Sequence, residues 1–294
     1  MSTAMPSTQP PAPVGGGLGV MDAVGMGWRV LMDDFWQLWL VGLVAMLIPG
    51  AINFVGNLIG MIPFVGILGS CIAIAVAIFV QPAFSAGLFF AVRRRIDGNP
   101  TQVNDVFEGF RQRYWQSVVA MLPPLGVGLV GGIIAVGIAG AVLVLGFGVS
   151  GNHMNDDKMI AAILVSAAAA SPVIIALILV SLLFLFSFLA VWDHPESGWE
   201  AVKDSVRVAK AHYLSVLGFT LLFAAIGIGA WLLGILALCI GCMVTMPAMS
   251  IWSTATAIYL YRSWTGRPLT ELSQAPFAAP AAPLIGPGPL PPTV

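Results

Sequence analysis

The sequence predicts an all-α fold: a polytopic membrane helical bundle of six transmembrane helices paired as three hairpins, each preceded by a cytoplasmic amphipathic interfacial helix. Three observations predict it. Residues 213–261 contain no Asp, Glu, Lys, Arg or His. A helix crosses the hydrocarbon core of a bilayer with about 20 apolar residues, so this run is long enough for two crossings, with a break near Gly234. Next, 59% of the 294 residues are hydrophobic and only 9% are charged, whereas soluble domains carry about 25% charge. A soluble core cannot cover that much apolar surface, so lipid must. Finally, a short polar stretch with helical periodicity precedes each pair of apolar runs.

The elements follow in order. Over 20–35, Val20, Val24, Trp28, Leu31 and Phe35 recur at helical spacing, with Asp22, Arg29 and Asp33 elsewhere on the wheel. That pattern predicts a helix lying at the membrane surface. Trp36 and Trp39 follow, at the level where aromatic side chains favour the headgroups. The first crossing is expected over 38–58 and contains Pro49, Asn53 and Asn57. The second is expected over 65–92 and ends at Arg93, Arg94 and Arg95. Pro82 lies inside it, removes a backbone donor and should kink the helix.

A second surface helix is expected over 101–114. Val103, Val106, Phe107, Phe110 and Tyr114 would form its apolar face, and Asp105, Glu108, Arg111 and Arg113 its polar face. Trp115 again marks the membrane edge. The third crossing falls within 117–149, with Pro123 and Pro124 dividing the run and 125–145 as the span. Its glycines (Gly126, Gly128, Gly131, Gly132, Gly137 and Gly140) are of the small type that lets helices approach closely in lipid. A polar loop over 150–158 leads to the fourth crossing within 159–192, where Pro172 is the expected irregularity. The third surface helix starts near Trp199. Ser197 and Glu200 fit the S-x-x-E capping box; Val202, Val206, Ala209 and Tyr213 line one face, and Lys203, Asp204, Arg207 and Lys210 another. The uncharged run then supplies crossings five and six, with Pro247 in the last.

Charge placement orients the bundle. Of the twelve Lys and Arg, only Lys158 falls in a loop on the far side of this arrangement. Cytoplasmic loops carry the excess of Lys and Arg, so both termini and all three surface helices are expected in the cytoplasm. The same split requires an even number of crossings. Residues 1–19 and 267–294 are rich in Pro, Gly, Ala and Ser and are expected to be disordered tails. The membrane domain is then 20–266.

Within it, surface helix and hairpin repeat as units of about 20–95, 101–192 and 197–265. The first and third units match best. Gly66-Ile67-Leu68 with Cys71-Ile72 parallels Gly234-Ile235-Leu236 with Cys239-Ile240, and Pro82-Ala83-Phe84-Ser85 parallels Pro247-Ala248-Met249-Ser250. Repeats are frequent in transporters and also occur in inert bundles.

Few residues suggest chemistry. Asn53, Asn57, Gln81 and Thr245 are polar groups at membrane depth and the candidates for a polar path; such groups more often hydrogen-bond between helices. Pro82 and Pro247 are the candidate kinks, as gates or as shape alone. Cys239-x-x-Cys242 is a candidate thiol pair, with Cys71 the only other cysteine. Exchange needs a thiolate, no flanking charge favours one, and Cys also packs as a small apolar residue. His153, Asp156 and Asp157 read as a solvated loop before they read as a metal site, and 193–196 as a turn before the third surface helix. No ionisable residue except cysteine falls inside a crossing, unlike the proton relays of pumps. No phosphate loop or catalytic box is present. Neither catalytic residues nor a cofactor or metal site is therefore expected. With a net charge of −1, nucleic acid is not an expected partner; membrane lipids are, together with a membrane protein or a second copy.

The segment R-x-I-D-G-N-P-T at 94–101, followed by D-V-F-E-G-F at 105–110, resembles a pattern of uncharacterised bacterial six-helix membrane proteins. The segment D-H-P-E-S-G-W-E-A-V-K-D-S at 193–205 and the region 245–262 are similar to the same family. The likeness covers most of 20–265, and relatives include the membrane domain attached to some glycerophosphodiester phosphodiesterases. It implies a multi-pass protein of the bacterial cytoplasmic membrane and supplies no catalytic residues. No phosphodiesterase domain accompanies it, so that activity is not expected. A non-enzymatic scaffold, assembly partner or envelope-maintenance component is the leading expectation. A transporter or channel for a small neutral or lipid-like solute is the alternative, and a membrane thiol oxidoreductase the third.

Overall fold

The computed structural model describes residues 18–267 except 61, 63–68, 70, 71, 73, 149–155, 194–196 and 237–239. Among the described residues the chain is all-helical. In order come α1 (Val20–Asp33), α2 (Phe35–Gly60), and a π-turn at Val76–Val80 that runs into α3 (Gln81–Ile96). A 3-10 turn at Val103–Phe107 leads to α4 (Glu108–Arg111) and α5 (Tyr114–Gly148). Then follow α6 (Asp156–Ser181), a 3-10 turn at Leu182–Phe184, α7 (Ser187–Asp193), α8 (Gly198–Ala211), α9 (Tyr213–Leu236) and α10 (Ile240–Trp264).

Four stretches among the described residues are long and apolar enough to cross a membrane: Phe35–Ile59, Tyr114–Val142, Ile160–Asp193 and Tyr213–Leu232. The expected second crossing, 65–92, lies partly outside the described residues and otherwise on the π-turn and α3, and the expected sixth falls on α10; neither is among those four. For α10 the reason is visible in its surroundings. Ile251, Ala255, Ile258, Leu260 and Tyr261 are fully buried, and Thr254 and Thr256 are buried with them. Thr256 donates to the Trp252 carbonyl at 2.8 Å. A helix wrapped by other helices can carry hydroxyl groups that satisfy themselves on its own backbone, and needs less hydropathy than one wrapped by lipid.

Helix α1 packs on α10. A Cβ at Gly27 would meet Thr256 and the Trp252 carbonyl, so glycine lets the two backbones close up. The Trp252 indole donates to the Val24 carbonyl at 2.9 Å, and Trp28 meets the Trp252 ring edge-on at 4.9 Å. The buried face is Ala23, Gly27, Val30 and Leu31. It is rotated from the expected stripe of Val20, Val24, Trp28, Leu31 and Phe35, because small residues rather than large ones sit at the closest approach. Helix α8 likewise buries Gly198, Ala201, Val202, Ser205, Val208 and Ala209. Ser197 takes the N-cap position but its side chain makes no capping bond, and Glu200 pairs with Lys203 at 2.9 Å.

Two other segments differ from expectation. The second surface helix is a 3-10 turn followed by one turn of α4, not a continuous helix over 101–114. Asp105, expected on a polar face, is buried. It serves as the N3 residue of a capping box, accepting the Gln102 backbone N–H at 2.8 Å. Helix α5 runs unbroken through Pro123 and Pro124, and α6 runs through Pro172. The interruption comes later, at Leu182–Phe184. There Phe186 turns into the core against Tyr261 and Trp264, 5.7 and 5.8 Å between ring centres. Ser205 donates to the Leu183 carbonyl at 2.9 Å, and Tyr213 to the Leu179 carbonyl at 3.1 Å. Side chains of α8 and α9 thus occupy the carbonyls around the interruption.

Candidate functional site

The charged end of the bundle is built around the run Arg93-Arg94-Arg95 at the end of α3. Each arginine takes a carboxylate from a different place. Arg93 reaches Asp193 at the end of α7 at 3.0 Å and Asp97 at 3.7 Å. Arg94 reaches the buried Asp105 at 2.8 Å. Arg95 reaches Asp34, between α1 and α2, at 3.9 Å. Two arginines at and just beyond the end of α10 join them: Arg262 bonds Asp97 at 2.8 Å, and Arg267 pairs with Asp193. The chain Arg267–Asp193–Arg93–Asp97–Arg262 therefore ties α3, α7 and α10 together.

Close backbone contact supports this end. A Cβ on Gly109 would collide with the Ala83 carbonyl, and one on Gly87 with the Val106 carbonyl. The 3-10 turn and α4 thus lie directly on α3 through a reciprocal pair of glycines. The Trp192 indole donates to the Ala86 carbonyl at 3.0 Å on the same helix. In sequence the arginine run reads as a helix end and a topology signal. Its structural partners Asp97, Asp105 and Asp193 are each the first acidic residue of one of the quoted segments at 94–101, 105–110 and 193–205.

A cleft of about 460 Å³ lies between α2 and α3, with Met246 of α10 also in its lining. Asn53, Gln81 and Ser85 supply its polar lining; Ala45, Phe84 and Leu88 are among its apolar walls. Local backbone chemistry positions both amides. Pro82 stands second in α3, directly after a π-turn in which the Gln81 N–H bonds the Val76 carbonyl five residues back. Such π-turns inside helices are frequent at functional sites. Asn53 donates its amide to the Pro49 carbonyl at 3.1 Å. A Cβ on Gly42 would meet Ile251 and the Pro247 carbonyl, so glycine brings α2 against α10 beside the cleft.

The structure brings some of the sequence-derived candidates together and separates others. Asn53 and Gln81 share the cleft. Asn57 is exposed on α2, one turn beyond Asn53. Thr245 donates to the Gly241 carbonyl of its own helix at 2.9 Å. Pro82 and Pro247 are buried; Pro247 borders a neighbouring furrow of about 210 Å³ that shares Met46, Gly50 and Met246 with the cleft. Cys71, Cys239 and His153 lie outside the described residues, as do the side chains of Cys242, Asp156 and Asp157. Among the described residues no group of three or more His, Cys, Asp or Glu is placed to hold a metal ion. Ser85, one helical turn beyond Gln81, is the cleft residue that sequence reading passed over.

A family model covers residues 14–282, and the chain belongs to that family, a domain of unknown function designated DUF7847. No curated protein and no solved structure matches the chain. The family match does not bear on the likeness to phosphodiesterase-linked membrane domains.

Proposed function

We propose that the chain is a six-crossing integral protein of a bacterial cytoplasmic membrane, with both termini in the cytoplasm, acting without catalysis as a scaffold, assembly or envelope-maintenance component. The topology is supported by charge placement. The arginines and aspartates that pair at one end of the bundle lie before, between and after the proposed hairpins, where cytoplasmic segments rich in Lys and Arg would fall. The scaffold reading is carried by the open face of α5. Around Gly126, Gly128, Gly132, Gly137 and Gly140 the space a Cβ would enter is empty, and Ile133 and Val136 stand more than 70% exposed. Small residues of this kind let a second helix approach closely in lipid. The likeness to membrane domains that accompany a separate enzyme domain is compatible with such a role.

A photo-crosslinking amino acid at Val136, used in intact cells, tests it. A discrete adduct to a protein partner or a second copy is expected, weakened by Gly132→Leu. Adducts to lipid alone would remove the reading. Topology is tested separately. After Cys71, Cys239 and Cys242 are replaced by Ser, single cysteines at Arg111 and Lys203 should react only from the cytoplasmic side, and one at Gly151 only from outside.

The cleft favours a second reading, a binding or transport site for a small neutral or lipid-like solute. Its observation is the meeting of Asn53, Gln81 and Ser85 in one apolar-walled space. Solute flux in proteoliposomes, with and without Gln81→Leu, tests it. The thiol reading is tested by Cys239→Ser and Cys242→Ser; an unchanged response to oxidative folding stress would remove it.

A further inference from the structure

We infer that the cleft between α2 and α3 holds a single-chain neutral amphiphile, its hydroxyl or carbonyl bound by Asn53 and Gln81 and its chain laid along Phe84 and Leu88. This rests on the second reading above, that the cleft is a ligand site, and names the class of ligand.

Four observations carry it. The first is an amide in need of a partner. The Gln81 side chain is exposed, and neither it nor the half-buried Ser85 hydroxyl hydrogen-bonds to a described residue. In water that would mean nothing. At membrane depth a polar group without a partner is expensive, because hydrocarbon offers none. Asn53 spends one amide hydrogen on Pro49, which leaves its carbonyl oxygen and second hydrogen for the cleft. Donors and acceptors therefore converge where lipid can supply neither.

The second is depth. Gln81 lies twelve residues before Arg93 on α3, about 18 Å along the helix axis at 1.5 Å per residue. The hydrocarbon core is about 30 Å thick. The amides thus sit beyond its middle, measured from the arginine end, where water is scarce.

The third is charge. Among the described residues no Lys or Arg lines the cleft, and the arginine run at the end of α3 is already held by Asp97, Asp193, Asp105 and Asp34. A phosphate or carboxylate would be desolvated without a counterion. A neutral polar end is the one the site can satisfy.

The fourth is size. The polar lining residue Gln81 and the apolar lining residue Leu88 are separated by two turns of α3, about 10 Å, and the volume is about 460 Å³. That accommodates part of one chain with a small polar end, not a two-chain lipid with its headgroup. The polar end then lies at Gln81 and the chain runs back toward Leu88 and the arginine end.

The probe is hexadecanol carrying a diazirine on its chain, offered to the full-length protein in nanodiscs of zwitterionic phospholipid. Photolabel should concentrate on the peptides of α2 and α3 that border the cleft. Gln81→Leu should lower that labelling roughly three- to tenfold, the worth of one or two neutral hydrogen bonds. Asn53→Leu should act in the same direction, and Ser85→Phe should abolish labelling by filling the space. Gln81 is a surface side chain, so its variant remains informative if Ser85→Phe does not fold. Label spread evenly over the outward faces of all helices and indifferent to Gln81→Leu would mean ordinary surrounding lipid and would overturn the inference. So would hexadecyl phosphate competing as well as unlabelled hexadecanol. Cleft-specific binding without flux removes transport and leaves this inference standing; its absence removes the inference whatever the flux.

Discussion

The helices around α10 and the α5–α6 pair hold apolar helices side by side in two different ways. Around α10 the contacts are specific. Glycines seat backbone on backbone at Gly27, Gly42, Gly87 and Gly109, indole N–H groups of Trp192 and Trp252 reach carbonyls of other helices, and carboxylates pair with arginines from distant segments. Among the described residues the α5–α6 pair relies on fewer such devices. Gly131 seats the Leu177 side chain, and Ser166 donates to the Ala139 carbonyl at 3.4 Å. Much of the remaining surface faces outward. The difference teaches where a substitution should matter. In lipid, apolar surface gains little by moving from lipid to a neighbouring helix. Shape, hydrogen bonds and paired charge are then what make one arrangement preferable to another, and they are concentrated at one end of this molecule.

A single added methyl group should separate the two regions most sharply. Gly109→Ala drives a Cβ into the Ala83 carbonyl, which backbone cannot yield cheaply; it should cost more than about 4 kcal/mol and abolish a monodisperse peak in detergent. Gly132→Ala, with nothing nearby, should leave the melting temperature unchanged or slightly raised, since alanine favours helix over glycine. Equal effects of the two would erase the distinction drawn above. Next in size, Asp105→Ala removes the buried partner of Arg94, whose own side chain is a third exposed, and the cap on the Gln102 N–H. It should cost about 1–3 kcal/mol, read as a lower thermal midpoint of the purified protein. Trp192→Phe keeps the ring against Phe90, 4.7 Å away, and deletes one hydrogen bond; about 1 kcal/mol is expected. Lys203→Ala is the smallest. Its pair with Glu200 is more than half exposed on both sides, and exposed pairs contribute at most about 1 kcal/mol, so a shift close to zero is expected.

Much of the fold is legible in the sequence for a simple reason. Whether a segment prefers lipid or water depends on its own composition, so the long apolar helices α2, α5, α6 and α9 could be read one window at a time. Proline was a poorer guide. Pro82 did coincide with an irregular turn, whereas α5 and α6 absorb Pro123, Pro124 and Pro172 without interruption. The break at Leu182–Phe184 has no proline at all; it depends on Phe186 finding Tyr261 and Trp264. Of the candidate polar residues, Asn53 and Gln81 proved neighbours although they belong to different helices, and Thr245 turned to its own backbone.

Composition and its periodicity by themselves determined that this chain is helical and apolar enough for a membrane, because transfer free energy is a property of each stretch taken alone. Only the tertiary structure decided which arginine meets which aspartate, which glycines are indispensable, and that two amides face one cleft. Those are relations between residues far apart in the chain, and they exist only once the helices have chosen their neighbours.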